Sequence, residues 1–503
     1  MFKNLKIPEK KIKNLIEDLA IIKKNEIIIE IEKLKISRIK LYNDILIKQK
    51  FLLGLNLKKN DTIISLLDNS YNQITLFLAS ICLGLTWIPL GRDRKGVGLE
   101  YILSLAKPKF IFTDKKKLKD IPNKYKTRAI DCNIDLQIPS KKNKIKKVKF
   151  LNKIKTILFT SGTTGPPKGV IVNGEMLIAS AFATGLASKA TNKDKFLLWE
   201  SLHHIGGIEV LILCLQKYCK IVLLKKFSAK KFWPQIIKNK ITIIHYLGGI
   251  LDILIKQPKN YNDKKHKVKL AFGAGARKST YKIFKDRFNI PLREVYGMTE
   301  ASSFTSINIQ QKIGSIGRVL PWFKVILFKK KSGVGEILIK TKYQDLITKG
   351  YYKDKKSTSK LLKNKILYTG DLGKFDKNNN LYYMGRKKDA VRVKGENISA
   401  WEIETTLNND INISESAIIS TAGEIGEDDI IALLILEKKV GINVIANKLQ
   451  KVFSKNYHPR YWAILDEFPR TPTYRIDKKL INIDKIKLYD FVKKKFVKMS
   501  RNN

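Results

Sequence analysis

The sequence is poor in cysteine and in acidic residues, and each shortage excludes something. Cys82, Cys132, Cys214 and Cys219 are the four cysteines among 503 residues. They are too scattered for a disulfide framework. Only Cys214 and Cys219 lie close, as C-x₄-C, and no histidines accompany them to complete a zinc site. Free thiols in a reducing, cytoplasmic compartment are therefore expected. The start, MFKNLKIPEKKIKNLIEDL, is basic and interrupted by charge, so no signal peptide is visible. Long apolar runs are scarce as well. Asn69–Gly91 has 23 residues without a charge, long enough to span a bilayer. However, Asn72, Gln73, Gly84 and Pro89 divide it into a helix, Tyr71–Leu83, and a strand, Thr86–Leu90, so buried core is expected and no membrane span. Internal repeats are absent.

Acidic residues number 45 against 98 lysines and arginines, a formal net charge of +53. Such an excess ordinarily points to nucleic acid or an anionic membrane. Here the basic residues run from Lys3 to Arg501, interleaved everywhere with Ile and Asn. Lys, Ile and Asn share A/T-rich codons, so a genome-wide base bias accounts for the charge. No basic run carries interleaved aromatics, and no nucleic-acid partner is expected. The charge still draws acidic ligands such as nucleoside triphosphates to any cleft.

What is present is a large apolar fraction, 44%, and room for about three domains of about 150 residues. Runs such as DTIISLL, TWIPL, KFIFTD, TILFT, CKIVLL, ITIIHYL and KLAFGAG alternate with helical stretches such as AKKFWPQIIKNK. That alternation predicts an α/β fold with parallel sheets wrapped by helices. From about Ile313 shorter strands and turns predict a small β subdomain. After Gly385 a charged stretch leads into a compact α+β tail with a helix at Glu402–Asn409 and the strand AIIS.

Within this frame, TILFTSGTTGPPKGV (156–170) places Ser, Thr and Gly in six consecutive positions, Thr160–Gly165, before two prolines and Lys168. Small hydroxyls and glycines expose backbone N–H groups and suit a concave anion site. The nucleotide loop G-x-x-x-x-G-K-[ST] does not fit, because its second glycine position is Pro167. GAGAR (273–277) follows a strand and precedes a helix, where amides approach a flat ring or a phosphate. In YGMTE (296–300), Tyr296 can stack on a base, Thr299 can bond a phosphate and Glu300 can hold Mg²⁺. YTGDLG (368–373) supplies Asp371 as a turn carboxylate for ribose hydroxyls. Each alone is also compatible with a structural turn; in this order and spacing, together, they are not.

These motifs, with GRKKDAVRVKGENISAWEIE (385–404) and a degraded FPRTPTYRIDKK (468–479), resemble the adenylate-forming superfamily: acyl-CoA synthetases, adenylation domains of peptide synthetases and luciferase. The resemblance covers almost the whole chain. It implies an N-terminal AMP-binding domain over residues 1–387 and a small mobile C-terminal domain over 388–503. It also implies an acid–thiol ligase that uses ATP, Mg²⁺ and coenzyme A to turn a carboxylic acid into an acyl-adenylate and then a thioester. In the family's pattern Thr160, Ser161, Gly162, Thr163, Thr164, Gly165 and Lys168 hold the β- and γ-phosphates, and Glu300 meets Mg²⁺. Gly273, Ala274, Gly275, Ala276 and Arg277, with Tyr296, Gly297 and Thr299, line the adenine and phosphate side. Asp371 and Arg386 take the ribose. A hinge maps to Lys388, and Lys394–Gly395 meet the pantetheine thiol.

Two departures qualify this picture. The family's last motif ends T-G-K, with the lysine on the substrate carboxylate and the α-phosphate. Here Thr473 is followed by Tyr474 and Arg475, and a planar fork is not equivalent to an ammonium. Three readings stay open: Arg475 does the work, Lys478 or Lys479 has taken over, or adenylation is crippled and the chain is a nucleotide- or acyl-binding relic. The second departure is in the acyl pocket. Where the family often reads P-x-x-H this chain has WESLHHIGG (199–207), with His204 on the acyl channel and thiol route, His203 in packing and Glu200 where proline is usual. HYLGG (245–249) has glycines where the family tends to keep Pro and a bulkier residue, which widens the pocket.

The stretch from Lys226 to Pro258 resembles carnitine/crotonobetaine-CoA ligases most, and a trimethylammonium head would call on Trp199, Glu200 and Tyr246. Transfer to a carrier-protein thiol in place of CoA is the alternative. The identity of the acid and the oligomeric state are not legible.

Overall fold

Alternation of apolar strands with helices produces two sheets with mainly parallel cores, each completed by antiparallel edge strands. The computed structural model describes residues 5–91, 94–132, 155–160, 166–331, 333–387, 390–393, 396–422, 428–452, 458–471 and 474–498. In the first sheet Thr62–Leu67, Thr86–Gly91, Phe110–Thr113, Ala129–Asp131 and Lys155–Thr160 run parallel, and Lys168–Asn173 pairs antiparallel on the last of them. The second sheet has nine strands. Its parallel centre comprises Ile27–Ile31, Lys220–Leu223, Lys195–Leu198, Ile243–Leu247, Leu270–Ala274 and Leu292–Met298. Strands buried on both faces read as continuous apolar runs, which is why these were legible.

Helices fill the space between the sheets. Asn173 caps Gly174–Ser188 by accepting a hydrogen bond from the Met176 amide at 2.8 Å. Its Ala and Gly residues let it pack closely on Ile205–Lys217, both contributing to one buried cluster. The uncharged stretch resolves as expected into helix Tyr71–Cys82, capped by Ser70, and strand Thr86–Gly91. Among the described residues no helix is long and apolar enough to cross a membrane.

The expected small β subdomain is a five-stranded antiparallel sheet containing Phe323–Lys331, Val334–Thr341, Ile366–Phe375 and Leu381–Arg386. The tail is a second five-stranded mixed sheet that opens with Ile413–Ala422 and Asp428–Leu436, with helices Ala400–Leu407 and Ile442–Val452 over its own core. The helix begins two residues earlier than its sequence pattern indicated, and AIIS is the centre of a longer strand.

Trp87 is fully buried in strand Thr86–Gly91 against Phe77, with ring centroids 4.5 Å apart. Trp87→Ala is expected to cost about 3–5 kcal/mol, measured as a lower urea midpoint at unchanged slope.

Candidate active site

The Gly-rich loop joins two antiparallel strands. Thr160 ends one and Lys168 begins the other; the two residues pair directly, and the Thr160 hydroxyl donates to the Lys168 carbonyl at 3.3 Å. No helix follows the loop, which is the structural reason the ordinary nucleotide-loop pattern fails. Ser161–Gly165 lie outside the described residues. Strand Lys168–Asn173 is stitched to the segment 348–352: the Tyr352 amide donates to Gly169 at 2.7 Å and the Thr348 hydroxyl donates to Ile171 at 2.7 Å. This seats the Tyr351 ring 5.2 Å from Lys168 Nζ. The Tyr351 hydroxyl donates to Glu300 Oε1 at 2.9 Å. Thus Lys168, Tyr351 and Glu300 form one chain from the loop to the YGMTE turn.

YGMTE ends strand Leu292–Met298 and enters the short turn Thr299–Ala301. Glu300 is buried, and burial raises its pKa, while Tyr351 and Arg386 pull the other way. Tyr296 crosses to the small sheet, where its hydroxyl donates to Asp371 Oδ2 at 2.8 Å. Asp371 Oδ1 sits 3.0 Å from Arg386 Nε, its cross-strand neighbour. The structure therefore brings Tyr296, Asp371 and Arg386 to one point between two sheets.

Gly273–Arg277 closes strand Leu270–Ala274 and leads into helix Lys278–Phe288. Gly275 has φ +88°, and its carbonyl fills the place a Cβ on Gly248 would need. The amides of Gly275 and Ala276 donate to Glu294 Oε1, the latter at 3.0 Å. Arg277 turns elsewhere, donating to the Ser414 carbonyl at 2.9 Å and pairing with Asp252 at 2.9 Å. It joins the tail to the larger lobe.

On the far side, His204 precedes helix Ile205–Lys217, its ring 4.0 Å from that of His203. Burial lowers the pKa of both, and Arg94 acts in the same direction. Glu200 is buried and its Oε2 lies 3.0 Å from His245 Nδ1. Burial opposes its charge, but His245, His204 and Arg475 together hold its pKa below the ordinary value. The aromatics expected around a trimethylammonium head are taken. Trp199 Nε1 donates to the His245 carbonyl at 2.8 Å, and its ring lies between Phe227 and His245. Tyr246 is fully buried, its hydroxyl on Glu294 at 2.6 Å. Lys394, Gly395 and Lys388 lie outside the described residues, as does Thr473. Arg475 is exposed, whereas Lys478 is committed to Glu404 at 2.6 Å.

A family model described as AMP-binding enzyme matches residues 49–352. The chain belongs to the AMP-binding enzyme family. It is 30% identical over 335 residues to the 2-succinylbenzoate–CoA ligase of Oceanobacillus iheyensis, covering 65% of this chain and 69% of that one. It is 26% identical over 476 residues to the corresponding ligase of Bacillus thuringiensis subsp. konkukian, covering 92% and 96%. Among solved structures it superposes on o-succinylbenzoate CoA synthetase from Bacillus subtilis, in complex with its acyl-adenylate intermediate. The TM-score is 0.80 at 22% identity, over 93% of this chain and 97% of that one. ATP-bound MatB from Rhodopseudomonas palustris gives 0.84 at 20%, over the same shares. The adenylate-forming resemblance and the α/β architecture drawn from sequence both stand. Both of these bacterial sequence relatives are 2-succinylbenzoate–CoA ligases.

The AMP-binding motifs were found from sequence; their supports were not. Tyr351 carries no signal beyond a Gly-Tyr-Tyr triplet. Glu294 does carry one, a charge inside the buried strand Leu292–Met298. Burial pushes the Glu294 pKa up to about 7, against an ordinary 4.5, with Tyr246 and the two turn amides limiting the rise. Folded protein thus holds this proton more tightly than unfolded protein does. Its contribution to stability is full below about pH 4.5 and is lost as pH rises through about 7. Wild type is expected to lose urea resistance across that window, and Glu294→Gln to lose less, measured by urea midpoints against pH.

Proposed function

We propose that this AMP-binding enzyme is an acyl-CoA synthetase: with ATP it converts a carboxylic acid to an acyl-adenylate and then passes the acyl group to coenzyme A. The observation that carries the reading is the Tyr296–Asp371–Arg386 cluster, beside Glu300, which Tyr351 links to Lys168 at the end of the Gly-rich loop. A carboxylate beside an arginine at a sheet junction suits ribose hydroxyls. Lys168 and the loop amides suit the phosphates, and the turn Gly273–Ala276 suits the flat base.

In the first step a carboxylate oxygen of the acid attacks the α-phosphorus, the bond to the β-phosphate oxygen breaks, and pyrophosphate leaves. Carboxylates are poor acyl donors, and the mixed anhydride supplies AMP as a good leaving group. In the second step the thiol sulfur attacks the acyl carbon, AMP departs, and the thiol proton is lost. Charge that builds on phosphorus is stabilised electrostatically by groups already in place. Glu300 would hold Mg²⁺ with substrate oxygens completing its shell, which fits a cation that takes one or two carboxylates. Among the described residues no cluster of three His, Cys, Asp or Glu side chains would hold a metal alone. When bound, the cation offsets triphosphate charge.

Arg475 takes the part of the family's lysine in this scheme. Lys478 is occupied by Glu404, and the field of Arg475 reaches Glu200 at the acyl side. His204 lines the acyl and thiol route. The adenylating lobe is residues 1–387 and the mobile lobe 388–503, with Lys388 as hinge and Lys394–Gly395 facing the thiol. The four free, buried cysteines, all in the adenylating lobe, suit the cytoplasm.

The test is ATP–pyrophosphate exchange across 2-succinylbenzoate, benzoate, butyrate, carnitine and crotonobetaine, followed by CoA-dependent AMP release. Exchange with at least one acid and release on adding CoA are expected; ATP binding without exchange would identify a relic instead. Arg475→Ala is expected to lower exchange by about 100-fold or more, on the order of 3 kcal/mol; an unchanged rate would remove Arg475 from the scheme.

A further inference from the structure

The motif that departs most from the family also touches the larger lobe. Tyr474 stands where the family has glycine, and it keeps a glycine-like backbone, with φ +60°. L-residues adopt that conformation only at a cost, so the side chain has to do something a glycine cannot. Its ring meets the edge of Phe227, with centroids 5.9 Å apart at 70°. It packs on the same buried cluster as Trp199, Phe232 and Tyr246. Its backbone lies on Gly249, at the start of helix Gly248–Lys256. A Cβ on Gly249 would stand 2.6 Å from the Tyr474 carbonyl oxygen and 3.0 Å from its Cβ. The glycine missing from the tail motif has therefore a counterpart on the surface that receives it.

The turn itself is closed by short hydrogen bonds. The Tyr474 amide donates to the Thr471 carbonyl at 2.8 Å, the Thr471 amide to the Arg475 carbonyl at 2.9 Å, and the Arg475 amide to the Thr471 hydroxyl at 3.2 Å. Arg470 donates to the Tyr474 carbonyl at 3.2 Å and pairs with Glu415 at 2.5 Å. Glu415 also lies 3.8 Å from Lys256, at the other end of the receiving helix. Fixing the turn at Tyr474 fixes where the neighbouring Arg475 starts.

We propose that Tyr474 is a positioning residue: an aromatic anchor that, seated on Gly249 and Phe227, docks the turn so that Arg475 reaches the acid-activating site. The proposal rests on the adenylating reading above and refines it. Because the anchor belongs to one arrangement of the two lobes, it serves adenylate formation and not thioester formation.

The experiment uses the full chain and measures three things: ATP–pyrophosphate exchange with the best acid of the panel above, thioester formation from that acid's preformed adenylate and CoA, and deuterium uptake of the 468–479 segment. Tyr474→Ala and Phe227→Ala are each expected to slow exchange at least 10-fold, to leave the thioester step within twofold, and to raise uptake in 468–479 alone. Tyr474→Phe keeps the ring and is expected to recover exchange to within threefold of wild type. The idea is overturned if both variants match wild type in exchange and uptake, or if both half-reactions fall together as in general destabilisation. A wild-type chain that exchanges with no acid overturns the adenylating reading and the anchor with it. A wild-type chain that exchanges while the variants match it overturns the anchor alone.

Discussion

Asp371 is the point on which the site depends. It is a buried carboxylate with a phenol from the nine-stranded sheet on one oxygen and a guanidinium from its own sheet near the other. Removing a carboxylate from water is costly unless its charge is answered. Tyr296 and Arg386 answer it in directions that are available only when the two sheets meet correctly. The same contact therefore ties the nine-stranded sheet to the small sheet at a buried carboxylate. The YGMTE turn and the small sheet meet through it, and Tyr351 extends the link from Glu300 to Lys168, although these residues lie far apart in sequence.

The electrostatics of the gap are asymmetric in a useful way. The protein carries large positive charge, yet two carboxylates, Glu300 and Asp371, are buried at this junction. Asp371 disfavours ionisation of Glu300, and Arg386 favours it. Left to itself Glu300 moves toward the neutral form, because burial is the largest influence upon it. A cation arriving with polyphosphate would reverse that preference, so ligand and carboxylate charge would be established together. Lys168, held over the Tyr351 ring, supplies fixed positive charge without saturating Glu300.

How much of this was legible follows from where each constraint lives. Backbone constraints write themselves into short stretches: a run of small residues, a glycine at positive φ, a strand that ends in a turn. The Gly-rich loop, GAGAR, YGMTE and YTGD were therefore readable, as were the doubly buried strands. Side-chain partnerships leave no local trace. Glu294 reaches Tyr246 across 48 positions, and Glu200, in the bend after strand Lys195–Leu198, meets His245 in strand Ile243–Leu247. Helix Arg38–Gly54 was not singled out because buried Arg38, Lys48 and Gln49 spoil its apolar stripe. Trp199 and Tyr246, bonded to the His245 carbonyl and to Glu294, show the same limit. Sequence shows an aromatic but not which of its faces is already covered.

The departures from the family pattern are best understood as a set. Replacing glycine by tyrosine in a tight turn would, alone, push the turn away from its receiving surface. Gly249 removes the side chain that it would strike, and Phe227 offers the ring an edge. Replacing lysine by arginine puts a broader, permanently charged fork near the acyl side. Glu200, unusual at its own position, feels that charge and is buried with His245 as partner. A packing contact and a charge influence thus join the tail turn to the larger lobe in one place, so that displacing the Tyr474 ring would also displace the guanidinium next to it.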